Sequence, residues 1–490
     1  MHAPIVTLCY YDQSDVNGGV LAINIKKDYP VELERLKKIS PLVSNFIWQD
    51  VMRRNCLIYW FLLSFVMTEV VTSAQGFNFS PPPLIAIPIQ ALLVIFIAEM
   101  LPKVVMGPVH VLQIMTALLL TIPTIILTFT NSTNIELRFR LFSLVIVLMN
   151  QILISFFDGT KNWRRIENRN TAISEKKIAY LLISITMFCI VTALYSGVLN
   201  LDFVSFNDIY TRRSELMTTL GDPDFKFLGY ILGWIGGALI PIIFYFGMRT
   251  RSVFIIVVST MLVAFSYVLT AQKWILASLL LILVLHLITK MGNSTQIFTK
   301  DVFFGFNFLI CILLLAQATL PKFSILDLGV RRAILDPSIM LQYYTKFTDY
   351  YPLQWWSDSN ISRYFSNSDP TPVSKIIGDR FFNLPPLYIY PSGTSSNATA
   401  GSVADSIAQG GILGVLVISL ILVSAFYILQ ILSIGRNLAT VFVLSSLFVE
   451  MLIEGTLHTL LLSRGAILIF LVFLLLPRSQ DSSSSSGNGS

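Results

Sequence analysis

The chain is short of charge. Only 13% of its 490 residues are Asp, Glu, Lys or Arg, against 54% hydrophobic residues and a mean hydropathy of +0.71. A soluble domain carries roughly twice that share of charge, so the composition excludes an ordinary soluble globule. Cysteine is scarce too. Its four copies (Cys9, Cys56, Cys189, Cys311) lie in the N-terminal segment or in hydrophobic runs. That placement excludes a disulfide framework in the polar loops and a cysteine-based metal site. The four histidines (His2, His110, His286, His458) likewise avoid those loops, which argues against histidine-dependent chemistry there. There is no P-loop, no glycine-rich dinucleotide fingerprint and no His-Glu-x-x-His pair. No outward aspartate pair is spaced like the metal site of nucleotide-sugar transferases. Neither a cofactor nor a metal is expected.

What the chain has in abundance is long apolar sequence. About twelve segments approach 20 residues, the length that crosses a bilayer core of about 30 Å. They are 56–74, 84–106, 109–128, 139–157, 178–199, 228–247, 253–270, 274–289, 302–320, 411–433, 438–452 and 457–476. The fold class expected is an all-α polytopic membrane protein. A cytoplasmic segment, 1–55, shows no signal peptide and precedes nine spans within 56–320. A large outward-facing loop, 321–410, separates spans nine and ten, and 411–476 completes the bundle. The serine-rich tail 477–490 reads as disordered.

Basic residues set the orientation. Lys26, Lys27, Arg35, Lys37, Lys38, Arg53 and Arg54 precede span one, and Lys161, Arg164, Arg165, Arg169, Lys176 and Lys177 follow span four. Arg249, Arg251, Lys290, Lys300, Arg436 and Arg478 continue the bias after even-numbered spans. Both termini are therefore expected in the cytoplasm. The formal charge of +6 is a topology signal and not a nucleic-acid footprint.

Two polar loops, 200–227 and 321–410, then face outward. The first holds Tyr210, Arg213 and Glu215; the second holds Arg331, Arg332, Trp355, Trp356 and seven aspartates. Asp336-Pro337 suits a helix start, and Ile339, Tyr343, Tyr344 and Phe347 follow at helical spacing. Such an amphipathic helix is expected along the outer headgroup layer. Guanidinium forks match phosphate oxygens, so arginines from two loops can close on one diphosphate. The plainer alternative pairs Arg331 and Arg332 with Asp327 or Asp336, and Arg213 with Glu215 or Asp208. Tyr343, Tyr344, Trp355 and Trp356 can stack on sugar rings or form an interfacial belt. For Glu454 and Arg464, near the last turn, a salt bridge between helices and a site role are both open. Arg140 and Glu136 are expected at the surface.

Taken in order, these loops resemble those of the Wzy-type polymerases of bacterial O-antigen and capsule repeat units. Tyr210-Thr-Arg-Arg213 before a span with Trp234 and Pro241 is similar to the family's Tyr-x-x-Arg followed by a helix with a tryptophan and a late proline. Thr270-Ala-Gln-Lys273 is similar to its Thr-Gly-x-Lys turn, with Ala271 in place of glycine. Arg331-Arg332 with Pro337 and Tyr344, then Ala404-Asp405 and Gly411–Gly414, complete the match. Ser406-Ile407 departs from the family's Gly-aromatic pair.

The resemblance implies a metal-independent glycosyltransferase of the bacterial inner membrane. It would move a growing glycan from undecaprenyl diphosphate to a sugar hydroxyl of a new lipid-linked repeat unit. Arg213, Arg331 or Arg332, supported by Lys273, would meet the diphosphate. Asp405, Asp336 and Glu215 are candidate general bases, and Tyr210, Tyr343, Tyr344, Trp355 and Trp356 candidate glycan contacts. Undecaprenyl-diphosphate-linked oligosaccharides and membrane lipids would be its partners, with room for a chain-length regulator. An O-antigen ligase, a flippase or other transporter, and a non-catalytic assembly partner are the rival readings.

Overall fold

The computed structural model describes residues 30–67, 79–132, 135–157, 172–195, 226–270, 274–291, 296–320, 326–357, 373–380 and 401–477. The chain divides into two units, 1–48 and 49–490. In the first, the described residues from Pro30 onward are helical and open helix α1, Pro30–Phe65. Everything below concerns the second.

The second unit is a helix bundle. After α1 come α2 (Ala86–Met100), then α3 (Pro108–Thr116) and α4 (Ile122–Phe129), which form one long segment, then α5 (Leu137–Ser155) and α6 (Ala172–Tyr195). Helices α7 (Lys226–Trp234) and α8 (Ile240–Arg249) also run on from each other. They are followed by α9 (Val253–Thr270), α10 (Trp274–Met291) and α11 (Thr299–Thr319). The C-terminal part holds α12 (Asp336–Tyr350), α13 (Val373–Arg380), α14 (Ser402–Ser433), α15 (Leu438–Glu454), α16 (Leu457–Ser463) and α17 (Ala466–Leu475). Two short antiparallel ribbons join helix ends. In one, β1 (Phe79–Ser80) pairs with β3 (Asn131–Ser132); in the other, β2 (Val104–Val105) pairs with β4 (Ile297–Phe298).

Among the described residues, six helical segments are long and apolar enough to cross a membrane: Pro108–Phe129, Leu137–Ser155, Glu175–Tyr195, Phe227–Arg249, Thr299–Thr319 and Ser402–Ser433. Four further apolar helices are shorter. Large apolar side chains cover the outside of the bundle, Phe61, Phe96, Phe188, Leu315 and Leu413 among them. An exposed apolar surface of this extent is stable only when something apolar covers it.

Three π-helical turns share one cause. Ala117–Thr121 precedes Pro123, Ile235–Leu239 precedes Pro241, and Asp327–Leu335 precedes Pro337. A proline inside a helix has no N–H to give and crowds the carbonyl four residues back. Widening the preceding turn relieves the crowding and lets the neighbouring N–H reach five residues back. Ile122 N–H accordingly donates to Ala117 O, Ile240 N–H to Ile235 O and Asp336 N–H to Arg331 O.

Two expectations are corrected here. Helix α12 does not lie on the surface: every residue from Pro337 to Thr345 is buried. It packs against α4, α5 and α14, and its hydroxyls find partners there. Ser338 Oγ bonds to Thr124 Oγ1 at 3.0 Å and donates to Leu120 O at 3.2 Å. Thr345 Oγ1 lies 2.9 Å from Ser143 Oγ. Ser338 and Thr345 allow close packing and find partners, which lets the core accept the helix, while Gln342 Nε2 is buried without a hydrogen-bond partner. Arg140 is buried as well, because its guanidinium donates to Thr130 O at the carbonyl end of α4. Glu136 stays exposed and binds Arg138 at 2.8 Å.

Candidate functional site

A cleft with a buried carboxylate in its lining centres on α14. This helix is broken: Gly410 and Gly411 leave helical geometry, with Gly411 at φ 58 and ψ −140. That combination is essentially closed to residues with a Cβ. The break folds the first two turns back so far that a Cβ on Gly414 would stand 2.2 Å from Ser406 O. It also frees the carbonyls of Ala408 and Gln409 from their intrahelical donors.

A strap after α12 supplies the missing donors. Gln354 N–H reaches Ala408 O at 3.1 Å and Trp355 N–H reaches Gln409 O at 2.8 Å. To do so Trp355 and Trp356 take left-handed backbone angles, φ 49 and φ 58, a strained choice for bulky residues. Gly410 lies beside their indoles with space to spare. A Cβ there would meet Trp355 Cζ3 at 3.7 Å and Trp356 Cη2 at 3.9 Å.

Gln409 joins the strap to a carboxylate. Its Oε1 accepts from Trp356 N–H at 2.6 Å, and its Nε2 donates to Asp405 Oδ1 at 3.4 Å. Asp405 is 6% exposed. It forms the polar floor of a cleft of about 270 Å³ with Ser402, under Trp356 and beside Val417, Ile418, Ile421 and Leu457. Ser402 Oγ donates to Gly455 O at 2.9 Å, which ties this end of α14 to the turn after α15. Gly401 allows the approach, since a Cβ there would stand 2.1 Å from Ile453 O. Together these contacts offer a buried carboxylate that can accept a proton from a hydroxyl held under an aromatic ring.

Arg331 is 3% exposed and ion-paired. Its Nη1 lies 3.3 Å from both Asp336 oxygens. Residues five apart diverge on an α-helix but nearly eclipse on a π-helix, so the proline-driven turn builds this pair. Of the two alternatives for Arg331, the local ion pair is the one present. Tyr343 and Tyr344 are 2% and 0% exposed, in the core of α12 rather than on the cleft. Trp355 is exposed at 58%. Tyr210, Arg213, Glu215 and Lys273 lie outside the described residues, as does the side chain of Arg332.

A second ionic group sits at the junction of α15, α16 and α17. Arg464 Nη1 donates to Glu454 Oε2 at 3.2 Å, the salt bridge weighed from sequence. Glu450, one turn earlier and 3% exposed, interacts electrostatically with both. The arginine is held by its backbone: a Cβ on Gly233 would stand 2.0 Å from Ser463 O, and one on Gly237 2.5 Å from Arg464 O. Small residues four apart on α7 and the π-turn after it thus seat the α16–α17 break. Among the described residues no group of His, Cys, Asp and Glu side chains could hold a metal ion.

No protein-family model, curated protein or solved structure matches the chain.

Site residues that sequence reading passed over are Gln409, Ser402 and Leu457. Gln409 was within reach, four residues after Asp405 and hence on the same helical face. Leu457 comes from a helix some fifty residues further along, and nothing local marks it.

Proposed function

We propose that this protein is a polymerase of lipid-linked oligosaccharide repeat units, spanning the bacterial inner membrane about twelve times with both termini in the cytoplasm. The observation that carries the reading is Asp405: a buried carboxylate, oriented by Gln409, on the floor of a cleft roofed by Trp356. The resemblance of the loop motifs supplies the reaction.

In this proposal Asp405 is the general base. It takes the proton of the acceptor sugar hydroxyl while that oxygen attacks the anomeric carbon of the growing glycan. The bond from that carbon to the lipid diphosphate breaks, and its electron pair leaves with the diphosphate. Arg331 is already engaged by Asp336. The developing charge therefore falls mainly to Arg213, Arg332 and Lys273, and Asp336 becomes a partner of Arg331 rather than a base. Trp356, and Trp355 beside it, stack on sugar rings at the rim.

A strain lacking the gene tests the reading through its surface and lipid-linked glycans on a gel. Single repeat units on the final acceptor, with the ladder lost, support a polymerase. Polymer stranded on undecaprenyl diphosphate makes the protein a ligase, and repeat units trapped inside make it a transporter. Asp405→Asn expressed in that strain should depress chain growth by at least about 100-fold, the usual scale for removing a general base. A ladder restored to wild-type length would remove Asp405 from the chemistry.

A further inference from the structure

Three hydrogen bonds tie the strap to α14. Gln354 and Trp355 give their N–H groups to Ala408 O and Gln409 O, and Trp356 gives its own to Gln409 Oε1. Most of the strap stands in the open, with Pro352, Leu353, Trp355 and Ser357 all exposed. Its two left-handed tryptophans carry a backbone cost that lifting the strap gives back. Segments with little buried apolar surface and accessible backbone bonds open first. The roof of the cleft is therefore built to move.

One of the three bonds differs from the others, because Trp356 N–H ends on a side chain that also reaches the carboxylate. A backbone N–H can only donate, so it fixes which end of the Gln409 amide faces the strap. Oε1 turns to Trp356, and Nε2 is left facing Asp405 Oδ1 at 3.4 Å. Lifting Trp356 removes what orders the amide. Its oxygen can then turn toward Asp405, where it repels the carboxylate instead of holding it. We infer that Gln409 is a positioning residue that makes the orientation of Asp405 depend on the strap. With the strap raised, the cleft loses its Trp356 roof and admits a ligand, while the carboxylate is loosely held. Closure restores roof and donor together. The base is thus set only once the cleft is covered and water is shut out. At 3.4 Å the bond to Asp405 is long, with room to shorten when the site fills. The inference rests on the function proposed above for the role of Asp405 as a base. The link between strap and carboxylate rests on geometry alone.

Hydrogen exchange of the strap peptide, 351–357, tests that link on the full chain in lipid bilayers. Gln409→Met removes both amide contacts and should speed exchange about fivefold, the scale of one hydrogen bond. Asp405→Ala removes only the far end of the link and should speed it about twofold. The double variant should exchange no faster than Gln409→Met, because coupled residues do not act additively. Unchanged exchange over α12 checks that each variant is folded. Gln409→Glu separates the two contacts, since it still accepts from Trp356 N–H but offers Asp405 no donor. Assayed on lipid-linked repeat units extracted from the strain lacking the gene, it should lower kcat about tenfold and leave KM unchanged. Gln409→Met should lower kcat and raise KM as well. Wild-type exchange in either single variant, effects that multiply in the double variant, or wild-type kcat in Gln409→Glu overturns the inference. Non-additive exchange in a protein whose loss leaves the glycan ladder intact sinks the polymerase reading and keeps the link. A lost ladder with effects that multiply does the reverse.

Discussion

Helix α12 and the second half of α14 invert the usual relation between polarity and burial. The first carries Asp336, Ser338, Gln342 and Thr345, yet everything from Pro337 to Thr345 is buried. The second is dominated by leucine, isoleucine and valine, yet Ile412, Leu413, Leu420, Ile428 and Ile431 are about half exposed. In water this arrangement would be unstable. In a bilayer it is reasonable, because lipid tails solvate leucine as well as a protein core does and removal from water no longer separates inside from outside. Polar groups do separate them. A hydroxyl or carboxylate facing hydrocarbon must find a partner, and the partners are other helices.

The comparison can be broken at its most costly point, the ion pair that opens α12. Asp336→Ala leaves the Arg331 guanidinium buried without its carboxylate and should cost about 3 kcal/mol. Thermal unfolding in detergent should show a large drop in midpoint. An unchanged midpoint would mean that Arg331 turns out of the core at no cost, and that α12 is less firmly embedded than its burial implies.

Smaller effects sharpen the contrast within α14. Gly411→Ala forces a Cβ into a conformation that only glycine adopts and should cost about 1–3 kcal/mol. Gly410→Ala has ordinary contacts to Trp355 and Trp356 and a negative φ, so it should stay within about 0.5 kcal/mol of wild type. Equal losses from the two would show that the break depends on space against the indoles rather than on backbone angle.

Next in size is Thr345→Val on α12, which keeps the shape but removes the contact with Ser143. It should cost about 1 kcal/mol. As small as that of Gly410→Ala is the effect of Leu420→Ala on the outer face of α14, expected within about 0.5 kcal/mol in detergent. Should Leu420→Ala prove more damaging than Thr345→Val, that face of α14 packs against protein and the inversion is wrong.

Much of the site's vocabulary was legible in sequence, though not its grammar. Asp405, Trp356, Arg331 and Asp336 were all singled out from residue type and position. The Arg331–Asp336 ion pair stood among the open readings, but nothing in the sequence chose it over Asp327 or over a diphosphate. Arg331 and Asp336 are five apart, a spacing that an α-helical reading places on different faces. Only the π-turn ahead of Pro337 brings them together. In retrospect the proline was the signal, since Pro123 and Pro241 are preceded by the same widened turn. Tyr343 and Tyr344 were read as exposed because they belong to a polar stretch, and polarity averaged over a loop cannot reveal that its helix has hydroxyl partners on α4 and α5.

By itself the amino-acid sequence determined that this protein is helical, apolar over most of its length and free of the usual cofactor motifs. Those properties follow from local hydropathy and composition, which need no knowledge of what touches what. Tertiary structure decided the rest. It drew α12 inside, turned part of α14 outward, and closed the strap carrying Trp355 and Trp356 over a glycine break some fifty residues away. Those outcomes depend on which distant carbonyls are left without donors and which distant N–H groups can reach them, and no local pattern records that match.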